Sequence, residues 1–223
     1  MSQYFPRRRM SPSFPVLLAL LLALLGPVMV TAATESAESI EERVMLVLGD
    51  SLSAAHNIPV EAGWAHLLST FMEERGWRLV NASISGETTS GGLRRLPGLL
   101  EEHRPAAVII ELGANDGLRG TPLAVIEQQL ASLVEQVQGA GARAIVTGMY
   151  LPPNYGKRYN ERFHAIFKRV AEQSGAVFIP FLLEGVATRP ELMQRDGLHP
   201  TAEAQPLIRD TVSAVLERQL ERW

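Results

Sequence analysis

The chain has 223 residues, of which 46% are hydrophobic and 20% are charged, and this composition is typical of a globular protein rather than of a disordered one. Its formal net charge of -3 argues against a nucleic-acid partner, because binding to a phosphate backbone needs concentrated lysine and arginine. The chain has no cysteine, which excludes a disulfide, a thiolate metal site and a cysteine nucleophile.

The N-terminus has the pattern of a secretory signal peptide. Three consecutive arginines precede an apolar run over residues 14–30, and small residues follow it. A Gly-Pro pair interrupts the run before it reaches the ~20 apolar residues that a spanning helix needs. We therefore predict that residues 1–32 are a signal peptide cleaved after Ala32, that the protein is periplasmic or secreted, and that no membrane span remains after cleavage.

After a polar lead-in over residues 33–42, short aliphatic runs alternate with longer segments of helical periodicity. The predicted strands are Val44–Leu48, Arg78–Asn81, Ala107–Glu111, Ala142–Thr147 and Ala176–Ile179. The predicted helices are Gly63–Arg75, Gly91–His103, Pro122–Gln138, Tyr159–Ser174 and Thr201–Glu221. This alternation predicts one α/β domain over residues 43–223, a flavodoxin-like three-layer α/β/α sandwich with a five-stranded parallel sheet.

Ligands of such sheets bind beyond the carboxyl ends of the strands, so the residue that follows each strand carries the most information. Ser51 follows the first strand within Gly49-Asp50-Ser51-Leu52, on a tight turn. It is a candidate nucleophile, although a serine in this position can also cap the next helix. The Gly-x-Ser-x-Gly elbow of the α/β-hydrolases does not occur in the chain.

A serine nucleophile needs a base, and His199 is the one histidine of five with a carboxylate in a rigid local frame. Asp196 lies three residues upstream, across a glycine turn that Pro200 ends, and could orient the imidazole. The alternative is a turn-forming aspartate and a surface histidine. His56 and His66 lack the spacing of a zinc site, so we expect a structural or surface role for them and no metal.

Acyl transfer also needs hydrogen-bond donors at the oxygen that becomes negative, each worth about 3 kcal/mol. Gly86 and Asn115 follow the second and third strands and can supply them, unless both belong to ordinary turns. Glu111 and Asp116 flank Asn115 and could suggest the paired carboxylates of a glycosidase. The simpler interpretation is that Glu111 ends a strand and that Asp116 caps the following turn.

Taken in order, these blocks resemble those of the GDSL or SGNH hydrolase superfamily, whose names come from residues 49–52 and from the set Ser51, Gly86, Asn115 and His199. The resemblance covers the chain from Val44 onward and is greatest to the bacterial periplasmic thioesterase I group, also described as protease I, lysophospholipase and arylesterase. The motifs that carry it are Asn81–Gly86, Glu111–Gly113, Asn115–Gly120, Leu151-Pro152, Asn154–Gly156 and Asp196-Gly197.

The resemblance implies nucleophilic attack by Ser51, proton transfer by His199 and orientation of that histidine by Asp196. It also implies an oxyanion hole made by the backbone N–H groups of Ser51 and Gly86 with the Asn115 side chain. The implied mechanism requires no metal or cofactor.

Pocket residues also follow from the resemblance. Leu118, Leu151 and Pro152 are expected to line an acyl groove, and the loop over residues 117–122 to move over bound acyl chains. One departure is Ala114, where relatives of this group often carry a second glycine before the asparagine.

The predicted function is therefore a serine hydrolase that cleaves acyl esters and thioesters through an acyl-enzyme intermediate, acting as a monomer on small-molecule esters, thioesters or lysophospholipids. A carbohydrate O-acetylesterase is the alternative, since it would use the same triad with a different pocket. The aromatic content of 6% favours lipid-like acyl groups over sugars. A non-catalytic flavodoxin-like binding module is the alternative from another class.

Overall fold

The computed structural model of the chain describes Met1, Gln3 and residues 43–220, 222 and 223. The cleavage position of the predicted signal peptide and the whole predicted lead-in lie outside the described residues. The strands are β1 (Arg43–Gly49), β2 (Trp77–Asn81), β3 (Ala107–Glu111), β4 (Arg143–Thr147) and β5 (Val177–Ile179). The α-helices are α1 (Trp64–Glu73), α2 (Thr89–His103), α3 (Ala114–Leu118), α4 (Leu123–Gly139), α5 (Lys157–Ser174) and α6 (Gln205–Leu220), with 3-10 turns at Val60–Ala62, Pro153–Tyr155, Pro190–Leu192 and Ala202–Ala204.

The five strands form one parallel sheet in the order β2-β1-β3-β4-β5. The predicted fold is thereby confirmed. The chain places β2 on one side of β1 and then adds β3, β4 and β5 on the other side, so the strand order reverses at β1. Gly49 pairs with Glu111 of β3, and Val47 pairs with Asn81 of β2. The residues that follow β1, β2 and β3 therefore meet at one edge of the sheet.

Helices cover both faces of the sheet, which explains why its central strands are apolar throughout rather than alternating. All of β3 and all of β1 except Arg43 are buried. Helices α1 and α6 pack together in one layer, and α4 packs between α2 and α5 in the other. Trp64, Phe163 and Phe167 are among the largest fully buried side chains of the core.

The last helix begins later than predicted. Residues 202–204 form a 3-10 turn, closed by a hydrogen bond from Ala204 N to Thr201 O at 3.2 Å, and α6 starts at Gln205. Ile208, Val212 and Leu216 are buried, as expected for a helix that packs on the core. Within the described part of the chain, no helix is both long enough and apolar enough to cross a membrane.

Helix α3 was not predicted. It is a single turn of five residues, too short to show helical periodicity, and it lies in a stretch with glycines at 113, 117 and 120 that is typical of a loop. The helix begins directly after Gly113, so it carries Asn115 in a fixed backbone at the carboxyl end of β3.

Candidate active site

Ser51 lies in the turn that follows β1, and contacts on both sides fix this turn. The Asp50 side chain accepts a hydrogen bond from Leu52 N at 3.0 Å, and Asp50 O accepts one from Ala54 N at 3.0 Å. From α1, the indole Nε1 of Trp64 donates to Leu52 O at 3.0 Å. The half-buried Ser51 side chain is thus held on a rigid turn at the wall of a cleft.

The structure brings His199 and Asp196 to Ser51 in a linear arrangement. His199 Nε2 lies 2.8 Å from Ser51 Oγ, although the two residues are 148 positions apart. His199 Nδ1 lies 2.7 Å from Asp196 Oδ2. A carboxylate can only accept, so the network assigns the imidazole proton to Nδ1 and leaves Nε2 free to accept the serine proton.

Asp196 is fixed by its own turn. Its Oδ1 atom accepts hydrogen bonds from Leu198 N at 2.9 Å and from His199 N at 3.0 Å. Partial burial by itself raises the pKa of Asp196, but these two bonds, the His199 ring and its charge outweigh that effect and lower the pKa from 3.8 to about 2.

This lowered pKa predicts a pH-dependent contribution to stability. A carboxyl with a lower pKa in the folded state stabilises the fold above its unfolded pKa of 3.8, and the contribution is lost as the pH falls towards 2. Because the side chain is 39% exposed, solvent screening reduces the expected effect to about 1 kcal/mol. The free energy of unfolding, measured with denaturant from pH 5 to pH 2, should fall by this amount more in wild type than in Asp196→Asn. A difference between the two proteins that does not change with pH would contradict the assignment.

Gln194, which was not predicted as a site residue, links the loop that carries His199 to the Ser51 turn. Gln194 N donates to His199 O at 2.7 Å. Its side-chain Nε2 donates to His56 O and to Pro200 O, both at 2.9 Å. One glutamine therefore joins the two segments that must be aligned for the Ser51–His199 contact.

Three candidate donors for a developing oxyanion line the same cleft. They are the N–H groups of Ser51 and Gly86 and the side chain of Asn115. Gly86 has a φ of 81°, which L side chains rarely adopt, in the turn closed by Glu87 N and Ile84 O. Among the residues that the structure describes, no group accepts a hydrogen bond from the N–H of Ser51 or of Gly86, so both can donate to a bound oxygen.

Asn115 differs from these two backbone donors. Its Nδ2 atom donates to Asp50 Oδ2 and to Glu87 O, each at 3.0 Å. Both hydrogens of the amide therefore have acceptors in the free protein, and one must exchange its acceptor if it is to reach a substrate oxygen.

The cleft has a volume of about 340 Å³ and a largely apolar wall. The predicted groove residues Leu118, Leu151 and Pro152 all line it. Further apolar lining residues, which follow β4 and β5 and were not predicted, are Met149, Tyr150, Phe181, Leu183 and Leu198. A second cavity of about 330 Å³ shares Leu151, Phe181 and Leu183 with the first, so the apolar surface continues away from Ser51.

Ala114, the departure from the family pattern, is the first residue of α3 and also lines the cleft. A glycine is not required at this position, because the backbone of Ala114 is helical.

The segment over residues 117–122, which was expected to be a mobile loop, is partly helical, since Gly117 and Leu118 belong to α3. Two contacts hold it: Arg119 Nη2 donates to Gly86 O and Tyr155 Oη donates to Leu118 O, both at 3.0 Å.

The carboxylates near Asn115 have other partners. Asp116 accepts hydrogen bonds from Thr89 N at 2.9 Å and from Thr89 Oγ1 at 2.7 Å, so it caps the start of α2. The prediction that Asp116 caps the turn that follows it was wrong, because a helix distant in the chain supplies the donors. Glu111 ends β3 as predicted and is fully buried, and neither carboxylate lines the cleft.

His56 was expected to be a structural or surface residue, but it lines the cleft beside the candidate triad. Its ring centroid lies 4.2 Å from that of His199. In the parts of the chain that the structure describes, no group of three or more His, Asp or Glu side chains is arranged to hold a metal ion.

The sequence model of the GDSL-like lipase/acylhydrolase family matches residues 47–206, which include Ser51, Gly86, Asn115, Asp196 and His199. The chain belongs to this family. The predicted superfamily and the predicted class of enzyme, an ester hydrolase, are thereby confirmed.

Named relatives of this acylhydrolase agree with that assignment. An arylesterase from Vibrio mimicus is 46% identical over 187 residues, which cover 83% of this chain and 94% of that protein. The thioesterase 1/protease 1/lysophospholipase L1 of Escherichia coli K12 is 43% identical over 173 residues, which cover 78% and 83%. The crystal structure of the psychrotrophic esterase EstA from Pseudoalteromonas sp., inhibited by monoethylphosphonate, superposes with a TM-score of 0.76 at 44% identity and covers 80% of this chain and 99% of EstA.

Proposed function

We propose that this acylhydrolase cleaves acyl esters and thioesters through a Ser51–His199–Asp196 triad and an acyl-enzyme intermediate on Ser51. The observation that carries the proposal is the arrangement in which Ser51 Oγ, the two ring nitrogens of His199 and Asp196 Oδ2 are joined by contacts of 2.8 and 2.7 Å at the wall of an apolar cleft.

The proposed reaction follows from this order of groups. His199 Nε2 takes the proton of Ser51 as its oxygen attacks the acyl carbonyl, and Asp196 stabilises the imidazolium that forms. Ser51 N, Gly86 N and the Asn115 amide donate to the negative oxygen of the tetrahedral intermediate. The imidazolium then protonates the leaving alcohol or thiol, and a water molecule activated by His199 releases the acid from Ser51.

The substrates we propose are esters and thioesters of acyl groups with an apolar chain, including lysophospholipids. The support is the continuous apolar wall that leads away from Ser51, formed by side chains such as Leu118, Leu151 and Phe181. A carbohydrate acetylesterase would instead need polar groups to bind a sugar along this wall.

Hydrolysis of a series of p-nitrophenyl esters from acetate to palmitate distinguishes these substrate classes. We expect kcat/KM to rise from acetate towards medium or long chains, because each added methylene finds apolar surface in the groove. A profile confined to acetate would favour the acetylesterase, and no hydrolysis of any ester would favour the binding module. Decanoyl thioesters and lysophospholipids test the wider range.

Leu151→Ala tests the groove itself. Leu151 is 4% exposed and lines both cavities, so its truncation removes chain contacts without touching Ser51. We expect kcat/KM for the octanoate ester to fall about tenfold and that for acetate to change less than about twofold. An equal loss on both esters would show that Leu151 supports the fold rather than the chain, and a Tm measurement identifies that case.

We also propose export through the signal peptide at residues 1–32, and activity as a monomer. The support for export is the order of charged, apolar and small residues at the N-terminus. N-terminal sequencing of the protein recovered from a periplasmic fraction should start near Ala33. Recovery of the uncut chain from the cytoplasm would contradict this proposal.

A further inference from the structure

Asp50, the aspartate of the GDSL motif, is a buried charged group that the proposed mechanism does not use. Its side chain is joined to both halves of the site although the residue is only 1% exposed. Oδ1 accepts a hydrogen bond from Leu52 N at 3.0 Å, next to Ser51. Oδ2 accepts one from Asn115 Nδ2, also at 3.0 Å. Asp50 therefore links the turn that carries Ser51 to the helix that carries Asn115.

Glu111 fixes the backbone of Asp50 by a hydrogen bond. Its Oε2 atom accepts hydrogen bonds from Asp50 N at 3.1 Å and from Ser53 Oγ at 2.6 Å. This approach depends on Gly49, because a Cβ there would lie 2.7 Å from Glu111 Oε2. Burial raises the pKa of Glu111 well above its usual value, and the neighbouring Asp50 raises it further. Both effects disfavour the charged form of Glu111, so Asp50, whose pKa is raised only to about 6, is the member of the pair that ionises more readily.

We propose that Asp50 is a positioning residue for the oxyanion hole, which keeps the nitrogen of the Asn115 amide rather than its oxygen directed into the site. Asp50 accepts a hydrogen bond from one hydrogen of the Asn115 amide throughout the reaction. The other hydrogen, which Glu87 O accepts in the free protein, passes to the substrate oxygen as negative charge develops on it. This proposal rests on the proposed function.

The chemistry of the two acceptors decides which bond is exchanged. A carboxylate offers only acceptors, so an ionised Asp50 selects the orientation of Asn115 in which the NH₂ group faces it. Hydrogen bonds to charged acceptors are also stronger than those to neutral carbonyls. The bond to Glu87 O is thus the weaker of the two and is the one that an oxyanion replaces.

Asp50→Asn tests this role because it has nearly the same shape. Its amide oxygen can still accept from Leu52 N, which keeps the Ser51 turn, but its NH₂ group then faces the NH₂ group of Asn115. We expect kcat for a p-nitrophenyl ester to fall roughly 10- to 100-fold and KM to change less than about twofold, since the loss is confined to the transition state.

Stability separates this role from a structural one. The pKa of Asp50 is raised to about 6, mainly by burial, so its charged form is less favourable in the folded state than in the unfolded state above that pH. Asp50→Asn removes the charge, and we expect its Tm at pH 8 to equal or exceed that of wild type. A Tm that falls together with kcat would show a structural role and overturn the proposal.

A double-mutant cycle with Asn115→Ala gives the decisive comparison. Asn115→Ala alone should lower kcat about 10²- to 10³-fold, and adding Asp50→Asn to it should cost less than about twofold more. An unchanged kcat in Asp50→Asn, or the same loss in both backgrounds, would overturn the proposal. Either result would leave the proposed function intact. The proposed function fails instead if Ser51→Ala remains active.

The unmodified protein provides an independent measurement. In ¹⁵N–¹H spectra, the side-chain amide of Asn115 is assigned by its loss in Asn115→Ala. Its hydrogens should exchange with solvent about tenfold or more slowly than those of the exposed Asn57. Equal exchange rates would mean that Asp50 does not hold the amide.

Discussion

Ser51→Ala is expected to lower kcat by a factor on the order of 10⁶ for every ester that the enzyme cleaves. The methyl group cannot attack a carbonyl, and His199 Nε2 then has no hydroxyl proton to accept at the 2.8 Å contact. His199→Ala should cost a similar factor, and the double variant little more than either alone, because the two groups act as one unit. Initial rates with p-nitrophenyl butyrate measure all three.

Ser69→Ala is the matched control for this loss. The Ser69 hydroxyl donates to His66 O in the same helix and does not line the cleft, so its removal should leave kcat unchanged. Ser51→Ala with more than about a tenth of the wild-type kcat would exclude Ser51 as the nucleophile.

Asp196→Asn is expected to lower kcat about 10⁴-fold at neutral pH. The asparagine oxygen can keep the bonds from Leu198 N and His199 N, so the turn is retained, but its NH₂ group then faces His199 Nδ1. That nitrogen must become an acceptor, and the ring proton moves to Nε2. His199 would then donate to Ser51 instead of accepting its proton.

Asp210→Asn controls for the removal of a charge. Asp210 lies on α6, where it pairs with Arg209 at 2.6 Å, and its side chain is 60% exposed. We expect its kcat to equal that of wild type. If Asp196→Asn kept wild-type kcat as well, Asp196 would not set the tautomer of His199.

The sequence predicted the parts of the site that are encoded locally. The order of apolar runs located the strands, and the bounds of β3 are those predicted. The spacing of Asp196 and His199 across a glycine predicted a contact that the structure shows at 2.7 Å, because three residues leave few ways to arrange such a turn. The resemblance to a known superfamily then supplied Gly86 and Asn115.

Contacts between distant segments could not be predicted in this way. Asp50 and Glu111 are 61 positions apart, and Gln194 reaches the backbone of His56 across 138. Neither pair has a local pattern that distinguishes it from ordinary turn or surface residues. The apolar wall beyond Leu151 was missed for a related reason. Residues such as Phe181 and Leu183 are of the same apolar types as core residues, so the sequence does not distinguish the two.

The most direct test of the central claim is to label the protein with a p-nitrophenyl alkylphosphonate and locate the adduct by mass spectrometry of the digested protein. EstA, a relative at 44% identity, has been crystallised inhibited by monoethylphosphonate. We expect one phosphonyl group per chain, on Ser51, and loss of ester hydrolysis in proportion to its formation. An adduct on another residue, or full activity without any adduct, would contradict a mechanism in which Ser51 carries the acyl group.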